Sequence, residues 1–287
     1  MKQISFMLQR GLCQTPAYAA CINRFFAHEG LDAQFSITPT SWMVPQQLTS
    51  GSCDFSVLPW TRVAVCEACE APLRVVCGSG FEEAVLVVRT ELQNDRVRSI
   101  ALPRIGGIKD LTAMALIDNM GWKRLEQLHF PTGDGAIIAF FGGVADAASM
   151  DEPYATMFEQ MGLGRIVKRT GDFWKGAPGC SLACRADLIE KDPDLVQKVV
   201  RAYIKAASWV QKNPEEAAVM AAPIIGVKAS YTAAAIRANP PRIDGIRNKE
   251  TMNTILEYMK SLGYIDYLPE GFVDLSFMDS IASDGNP

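Results

Sequence analysis

The chain has 287 residues, 48% hydrophobic and 21% charged, which excludes a disordered protein and fits one large or two ordinary domains. Its 28 basic and 32 acidic residues leave a net charge of −4, so composition gives little support to a nucleic-acid partner or an anionic membrane surface. The two histidines, His28 and His129, lie far apart in the sequence, which argues against a histidine metal cage or a Ser-His-Asp triad.

The first residues lack the pattern of a secretory leader, and no run of about 18 apolar residues predicts a membrane span. The eight cysteines are scattered rather than densely spaced, which favours a reducing compartment. As it stands the sequence predicts a cytoplasmic protein, and a periplasmic location would follow if a leader had been removed.

The opening segment predicts a strand, a loop and a helix. Lys2–Leu8 has the alternation of a strand, 9–16 is a polar loop, and 17–28 has apolar residues at helical spacing until Gly30 ends the pattern. The same order returns over 99–121, which indicates an internal repeat.

A second motif supports the repeat. Gly51-x-x-Asp54 precedes a short apolar segment, and Gly143-x-x-Asp146 precedes another at a nearly equal distance from the start of its own unit. We therefore predict an α/β fold of two similar lobes with mainly parallel sheets and a ligand cleft between them.

The predicted lobes are 1–88 together with 180–287, which includes a helical C-terminal part, and 89–179. The chain then crosses twice between the lobes. These two crossings would form a hinge, and closure of the lobes about it is the expected motion. Because loops at the carboxyl ends of parallel strands collect on one side of a sheet, the loops expected to face the cleft are 9–16, 39–43, 58–62, 103–109, 131–135 and 149–154.

These patterns, together with Asp151-Glu-Pro-Tyr-Ala and the helix running from Asp192-Pro-Asp-Leu-Val to Asn213-Pro-Glu-Glu-Ala, resemble type II periplasmic solute-binding proteins. Within them the chain is similar to the nitrate, sulfonate and taurine group, which also contains binding proteins and synthases for the thiamine pyrimidine. The resemblance implies a protein that captures a small organic solute and delivers it to an ABC-type permease, without itself spanning the membrane.

Polar candidates for ligand binding lie in the predicted cleft loops. Arg10 precedes a helix start and is predicted to grip an anion, although it also fits a surface arginine. Gly106-Gly107 would let a ligand oxygen approach the backbone, or form a plain turn. Gln14 and Thr61 lie in the same loops.

Trp42, Trp60 and Trp174 fall in loops predicted to face the cleft. Each also fits core packing, but together they predict aromatic walls around a planar or apolar-bodied solute rather than bare nitrate. On the second lobe, Asp134, Asp151 and Glu152 are candidate acceptors for amino groups, and Asp151 is also interpreted as a helix cap.

The cysteines suggest three further sites. Cys66 and Cys69 have metal-type spacing without a second pair. Cys180 and Cys184 lie near the second crossing, where the similar yeast-type pyrimidine synthases carry a cysteine cluster. Cys13 precedes a helix start that would lower the pKa of its thiol, and a desulfinase that resembles this fold carries its cysteine in the matching loop.

Two hypotheses follow. The first is a solute-binding protein that closes over its ligand, with no catalysis, metal or cofactor. The second is a cytoplasmic enzyme or ligand sensor on the same scaffold, which would use Cys13, or Cys180 with Cys184.

Overall fold

The computed structural model describes residues 1–66, 72–122 and 124–283. Within these residues the strands form two five-stranded sheets. The first sheet contains Lys2–Leu8 (β1), Leu31–Ile37 (β2), Phe55–Pro59 (β3), Leu73–Gly78 (β4) and Cys180–Arg185 (β10), in the order β2-β1-β3-β10-β4. The second sheet contains Ala84–Arg89 (β5), Ser99–Leu102 (β6), Glu126–His129 (β7), Ala147–Asp151 (β8) and Gly164–Arg169 (β9), in the order β7-β6-β8-β5-β9.

The two sheets share one pattern of strand directions. In the first sheet β1 is parallel to β2 and β3, whereas β10 is antiparallel to β3 and β4. In the second sheet β6 is parallel to β7 and β8, whereas β5 is antiparallel to β8 and β9. Each sheet therefore has a single reversed strand among the described residues, which confirms the predicted class of two similar lobes with mainly parallel sheets.

Helices pack around both sheets and continue to the end of the described chain. They are Thr15–Ile22 (α1), Phe25–His28 (α2), Val44–Thr49 (α3), Trp60–Val65 (α4), Ile108–Met120 (α5), Gly133–Phe141 (α6), Tyr154–Gln160 (α7), Ala186–Lys191 (α8), Pro193–Lys212 (α9), Pro214–Ile225 (α10), Ala229–Ala238 (α11), Lys249–Ser261 (α12) and Ser276–Ser283 (α13). None of the helices described is both long and apolar enough to cross a membrane. The single helix predicted over 17–28 is interrupted, because Arg24 takes a left-handed backbone conformation with φ of 64° between α1 and α2.

The repeated Gly-x-x-Asp motif has the same structural role in both lobes. The backbone N–H of Ser5 donates to Asp54 Oδ2 at 2.8 Å, and that of Ser99 donates to Asp146 Oδ2 at 3.1 Å. In return, the N–H groups of Asp54 and Asp146 donate to the hydroxyl oxygens of Ser5 and Ser99. Each aspartate thus ties the entrance of its strand to the neighbouring parallel strand, so the repeat reflects folding rather than ligand binding.

The two segments that connect the sheets pair with each other. The N–H of Gly80 donates to Cys180 O and that of Gly179 donates to Gly80 O, both at 2.9 Å. The predicted boundary of the first lobe after residue 88 falls inside β5. Because β5 already pairs within the second sheet, the chain first crosses between the lobes near 79–83. A short apolar strand does not reveal from its own sequence which sheet it joins, and the remaining domain limits stay a prediction.

Candidate functional site: a cavity between the two sheets

A cavity of about 240 Å³ lies between the two lobes. Residues from every loop predicted to face the cleft line it, namely 9–16, 39–43, 58–62, 103–109, 131–135 and 149–154. The prediction that these loops meet at the cleft is confirmed, because both sheets direct the carboxyl ends of their parallel strands to the same place. The volume lies just below the roughly 300–1,000 Å³ of common small-molecule pockets, so the cavity suits a small ligand.

The predicted ligand residues divide into two sets. Those that line the cavity are Arg10, Cys13, Gln14, Trp42, Gly107, Asp134 and Asp151. Those absent from its lining are Trp60, Thr61, Gly106 and Trp174. Three further lining residues with ionisable side chains, Glu83, Arg104 and Lys109, were not predicted from the sequence, whereas Cys180, predicted only as a partner of Cys184, also lines the cavity. Arg104 and Lys109 flank the double glycine and could have been found by analogy with Arg10, whereas no local pattern marks Glu83.

Trp60 and Trp174 are core residues, which corrects the prediction that they cover a ligand. Trp60 is 0% exposed, its indole N–H donates to Pro178 O at 2.9 Å, and its ring stacks on Phe272. Trp174 is also buried and packs edge-on against Phe173 and Tyr258. Both indoles point into the protein, a direction that loop position alone does not specify.

Trp42 does line the cavity, but arginines lie over its ring. The guanidinium carbon of Arg62 is 3.2 Å from the ring centroid and that of Arg104 is 4.2 Å from it. Burial, followed by the charge of Arg104, lowers the pKa of Arg62 to about 9, and its Nε and Nη2 lack hydrogen-bond partners. The part of the cavity wall around Trp42 is therefore cationic, and the Trp42 ring is covered by guanidinium groups rather than free to stack on a planar apolar ligand.

The start of α5 is held by a buried carboxylate. Asp110 is 0% exposed, and its Oδ2 accepts hydrogen bonds from the Gly106 N–H at 2.8 Å and the Tyr264 hydroxyl at 2.9 Å. Its Oδ1 lies 3.1 Å from His129 Nε2. The predicted role of Gly106 in binding a ligand is therefore wrong, because its N–H already has a partner. Gly107, the N-cap of α5, is the glycine that faces the cavity.

Asp151 forms an ion pair with Lys109 at 3.1 Å inside the cavity. Its interpretation as the cap of the next helix is wrong, because the N–H of Thr156 in α7 bonds instead to Glu152 Oε2 at 3.0 Å. The other oxygen of Glu152 accepts from Arg169 at 2.9 Å. The neighbouring carboxylates thus have separate roles, with Glu152 structural and Asp151 available to a ligand.

Arg10 and Asp134 face each other at the mouth of the cavity, with Nη1 and Oδ2 3.7 Å apart. Both side chains are partly exposed, so the pair adds little stability. Burial and the charge of Asp151 raise the pKa of Asp134, while Arg10 and Lys109 oppose the shift. The pair supplies one charge of each sign at the entrance.

Cys13 meets Cys180 and Glu83 at the cavity wall, where their ligand atoms lie within 4.8 Å of one another. A hydrogen bond from Cys180 lowers the pKa of Cys13, but burial and the charges of Glu83 and Asp151 outweigh it and raise that pKa to about 11. The expectation of a thiolate at Cys13 is therefore wrong. Neither histidine lines the described cavity, so a general base for Cys13 is not supplied by imidazole.

The other cysteine predictions have different outcomes. Cys180 and Cys184 lie four residues apart on β10, a separation of about 13 Å at a rise of roughly 3.3 Å per residue. Cys184 is buried in the first sheet and does not reach the cavity, so the two do not form one site. Cys66 is buried, and the predicted pair with Cys69 lies outside the described residues because Cys69 does.

The raised pKa of Cys13 predicts slow alkylation. In reduced protein treated with a chelator, iodoacetamide should modify Cys13 on the order of 100-fold more slowly at pH 8.5 than it modifies a free thiol, whose pKa is about 8.5. The rate, followed by peptide mass spectrometry, should rise towards a midpoint near pH 11. A synthetic peptide of residues 9–16 is the control, and a midpoint at or below that of the peptide would contradict the prediction.

Comparison with known structures shows the fold of periplasmic binding proteins. The alkanesulfonate-binding protein SsuA from Xanthomonas axonopodis pv. citri, bound to MOPS, superposes with a TM-score of 0.80 at 14% identity over 96% of this chain and 99% of that one. The periplasmic nitrate-binding protein NrtA from Synechocystis PCC 6803 superposes with a TM-score of 0.82 at 14% identity, over 99% and 89% respectively.

Sequence comparison also finds similarity to binding proteins. The NMT1-like family matches residues 132–225, from the second lobe through the second crossing into α10. The putative binding protein YtlA from Bacillus subtilis (strain 168) is 22% identical over 209 residues, which is 69% of this chain and 63% of YtlA. The chain thus spans less than two thirds of YtlA. The predicted resemblance to solute-binding proteins of the nitrate, sulfonate and thiamine-pyrimidine group is confirmed.

Proposed function

We propose that this protein binds a small, polar organic solute with an anionic group in the cavity between its lobes, and closes over it. The observation that carries the proposal is that both lobes supply fixed charges to one small cavity. Arg10 comes from the first lobe, and Arg104, Lys109, Asp134 and Asp151 come from the second.

The cavity carries charges of both signs, which suits a solute that has both an anionic group and amino groups. Arg104 and the N-terminus of α5 favour a carboxylate, sulfonate or similar anion, because both a guanidinium and a helix start attract negative charge. Asp134 and Asp151 offer carboxylate oxygens to amino groups of the same solute. Binding in this position requires contacts with both lobes, which favours closure about the paired crossing segments.

The comparisons support a role in transport. SsuA binds alkanesulfonates and NrtA binds nitrate, and a further structure of this fold, from Staphylococcus aureus, is a ligand-binding component of an ABC-type import system. We infer that the chain is the solute-binding component of such a system, and that its partner is an ABC permease. The enzyme hypothesis is disfavoured by the raised pKa of Cys13.

Differential scanning fluorimetry with a panel of sulfonates, amino sulfonates, carboxylates, pyrimidines and nitrate tests this proposal. A bound solute raises the unfolding temperature according to its concentration relative to Kd. We expect hits among organic anions, and X-ray scattering should show a smaller radius of gyration with a hit present. Binding by neutral pyrimidines alone, or by no member of the panel, would contradict the proposed class.

Arg104→Ala should weaken the Kd of such a hit by about tenfold or more, because a charge-assisted hydrogen bond is worth roughly 1.5–3 kcal/mol. Isothermal titration calorimetry measures the change. Arg96→Ala is the matched control, since Arg96 is exposed and lies outside the cavity. Equal Kd values for the two variants would remove Arg104 from the site.

A further inference from the structure

Cys13, Glu83 and Cys180 come from three separate parts of the chain to one point. Cys13 lies in the short 3-10 turn Leu12–Gln14 after β1, Glu83 ends the first crossing segment, and Cys180 begins β10 directly after the second. Their two sulfur atoms and a carboxylate oxygen lie within 4.8 Å of one another. The three residues come together because the two crossing segments pair with each other. Helical or strand periodicity does not predict this pairing.

The carboxylate of Glu83 is held in place but only half satisfied. Its Oε2 accepts the backbone N–H of Cys180 at 2.7 Å, whereas its Oε1 is buried and has no hydrogen-bond partner. A buried acceptor without a partner costs about 1–3 kcal/mol, so a group that would satisfy Oε1 is expected at this position.

The backbone around Glu83 is shaped for its side chain. A Cβ atom added at Gly80 would lie 1.6 Å from Glu83 Oε1, and one added at Gly179 would lie 2.3 Å from Glu83 Cδ. Any larger residue at either position would displace the carboxylate. The two crossing segments therefore enclose it between two glycines and orient it towards the cysteines.

The donor set identifies a class of ligand. Two cysteine sulfurs select thiophilic metals such as Zn²⁺ over Mg²⁺ and Ca²⁺, which prefer oxygen ligands, and a glutamate oxygen is a third ligand that Zn²⁺ accepts. All three residues also line the cavity, so a fourth, exchangeable position would face it. The half-buried ion pair of Lys109 and Asp151 lies nearby, where Lys109 offsets part of the negative charge.

We propose that Cys13, Glu83 and Cys180 form a site for Zn²⁺, or a divalent metal of the same thiophilic class, with its open position towards the cavity. The site goes beyond the proposed solute binding, because its three protein ligands are complete without a solute. Metal binding would also join the first-lobe loop to both crossing segments, and would thereby stabilise the folded chain in proportion to its affinity.

The test uses the full chain, reduced and stripped with a chelator. Titration with Zn²⁺ against a chromophoric chelator should show one ion per chain, and Co²⁺ should give thiolate charge-transfer bands together with tetrahedral d–d bands. Cys13→Ser should weaken metal affinity by more than about 100-fold, beyond the roughly 10–100-fold typical of outer-shell changes. Glu83→Gln, which keeps the shape of the side chain, should weaken it by at least about tenfold.

Cys21→Ser is the matched control, because Cys21 lies on α1 outside the cavity. It should leave Zn²⁺ affinity and the Co²⁺ spectrum unchanged. Equal affinity in the Cys13 and Cys21 variants would overturn the proposal. So would a Cys13–Cys180 disulfide in air combined with no metal binding after reduction, which would make the pair a redox centre instead.

Solute screening in the presence and absence of Zn²⁺ separates this proposal from the proposed function. Solute binding without metal binding would overturn the metal site and leave the proposed function intact. Metal binding that survives the loss of solute binding in Arg104→Ala would support a site with its own ligands.

Discussion

Asp110→Ala is expected to lower the free energy of unfolding by about 3–5 kcal/mol, because it removes the acceptor of three hydrogen bonds and each buried donor left unpaired costs about 1–3 kcal/mol. The variant would leave the Gly106 N–H, the Tyr264 hydroxyl and His129 Nε2 without their shared acceptor. Because Tyr264 follows α12 and Asp110 lies in α5 beside the second sheet, the loss would also loosen the connection between the lobes.

Urea denaturation followed by circular dichroism measures this effect. Asp110→Asn, which retains one acceptor oxygen, should give an intermediate loss. Asp95→Ala is the control, since Asp95 is exposed and should change stability by less than about 0.5 kcal/mol. A loss below about 1 kcal/mol in Asp110→Ala would show that its three partners find water or other acceptors at little cost.

Trp60→Ala should be destabilising to a similar extent, by about 3–5 kcal/mol, because it removes a large and fully buried side chain. The substitution leaves a cavity beside Phe272 and removes the donor to Pro178 O. In folded protein at low temperature, solute affinity should be close to that of the wild type, since Trp60 does not line the cavity.

Trp42→Ala is the matched comparison and should show the opposite pattern. Its ring is half-buried in the cavity wall, so its loss should cost less stability, about 1–2 kcal/mol from packing and contacts with Arg62 and Arg104. It should weaken solute binding, because Arg104 loses the surface that positions it. Denaturation and calorimetry on both variants check the pair, and a weakened Kd in Trp60→Ala alone would reverse the assignment.

The proposed metal site brings together a carboxyl group and thiols whose pKa values are raised. Burial raises the pKa of Glu83, and a hydrogen bond to Cys13 together with burial raises that of Cys180. These groups resist ionisation while no cation is beside them. A bound metal would favour their ionised forms and release protons, so metal affinity at the proposed site should rise with pH.

The sequence alone predicts the architecture and the location of the cavity. The repeated strand-loop-helix order, the two Gly-x-x-Asp motifs and the rule that ligands collect at the carboxyl ends of parallel strands together predict the two lobes and the loops that line the cleft. These features are local in sequence or follow from general topology, which is why they can be recognised without coordinates.

Only the tertiary structure decides which side chains in those loops reach the cavity. Trp42 and Trp60 occur in equivalent-looking loops, but one contacts two arginines in the wall and the other turns into the core. Asp151 and its neighbour Glu152 likewise point to different partners. The meeting of Cys13 and Cys180 with Glu83 depends on the long-range pairing of two crossing segments, and sequence periodicity carries no information about such pairings.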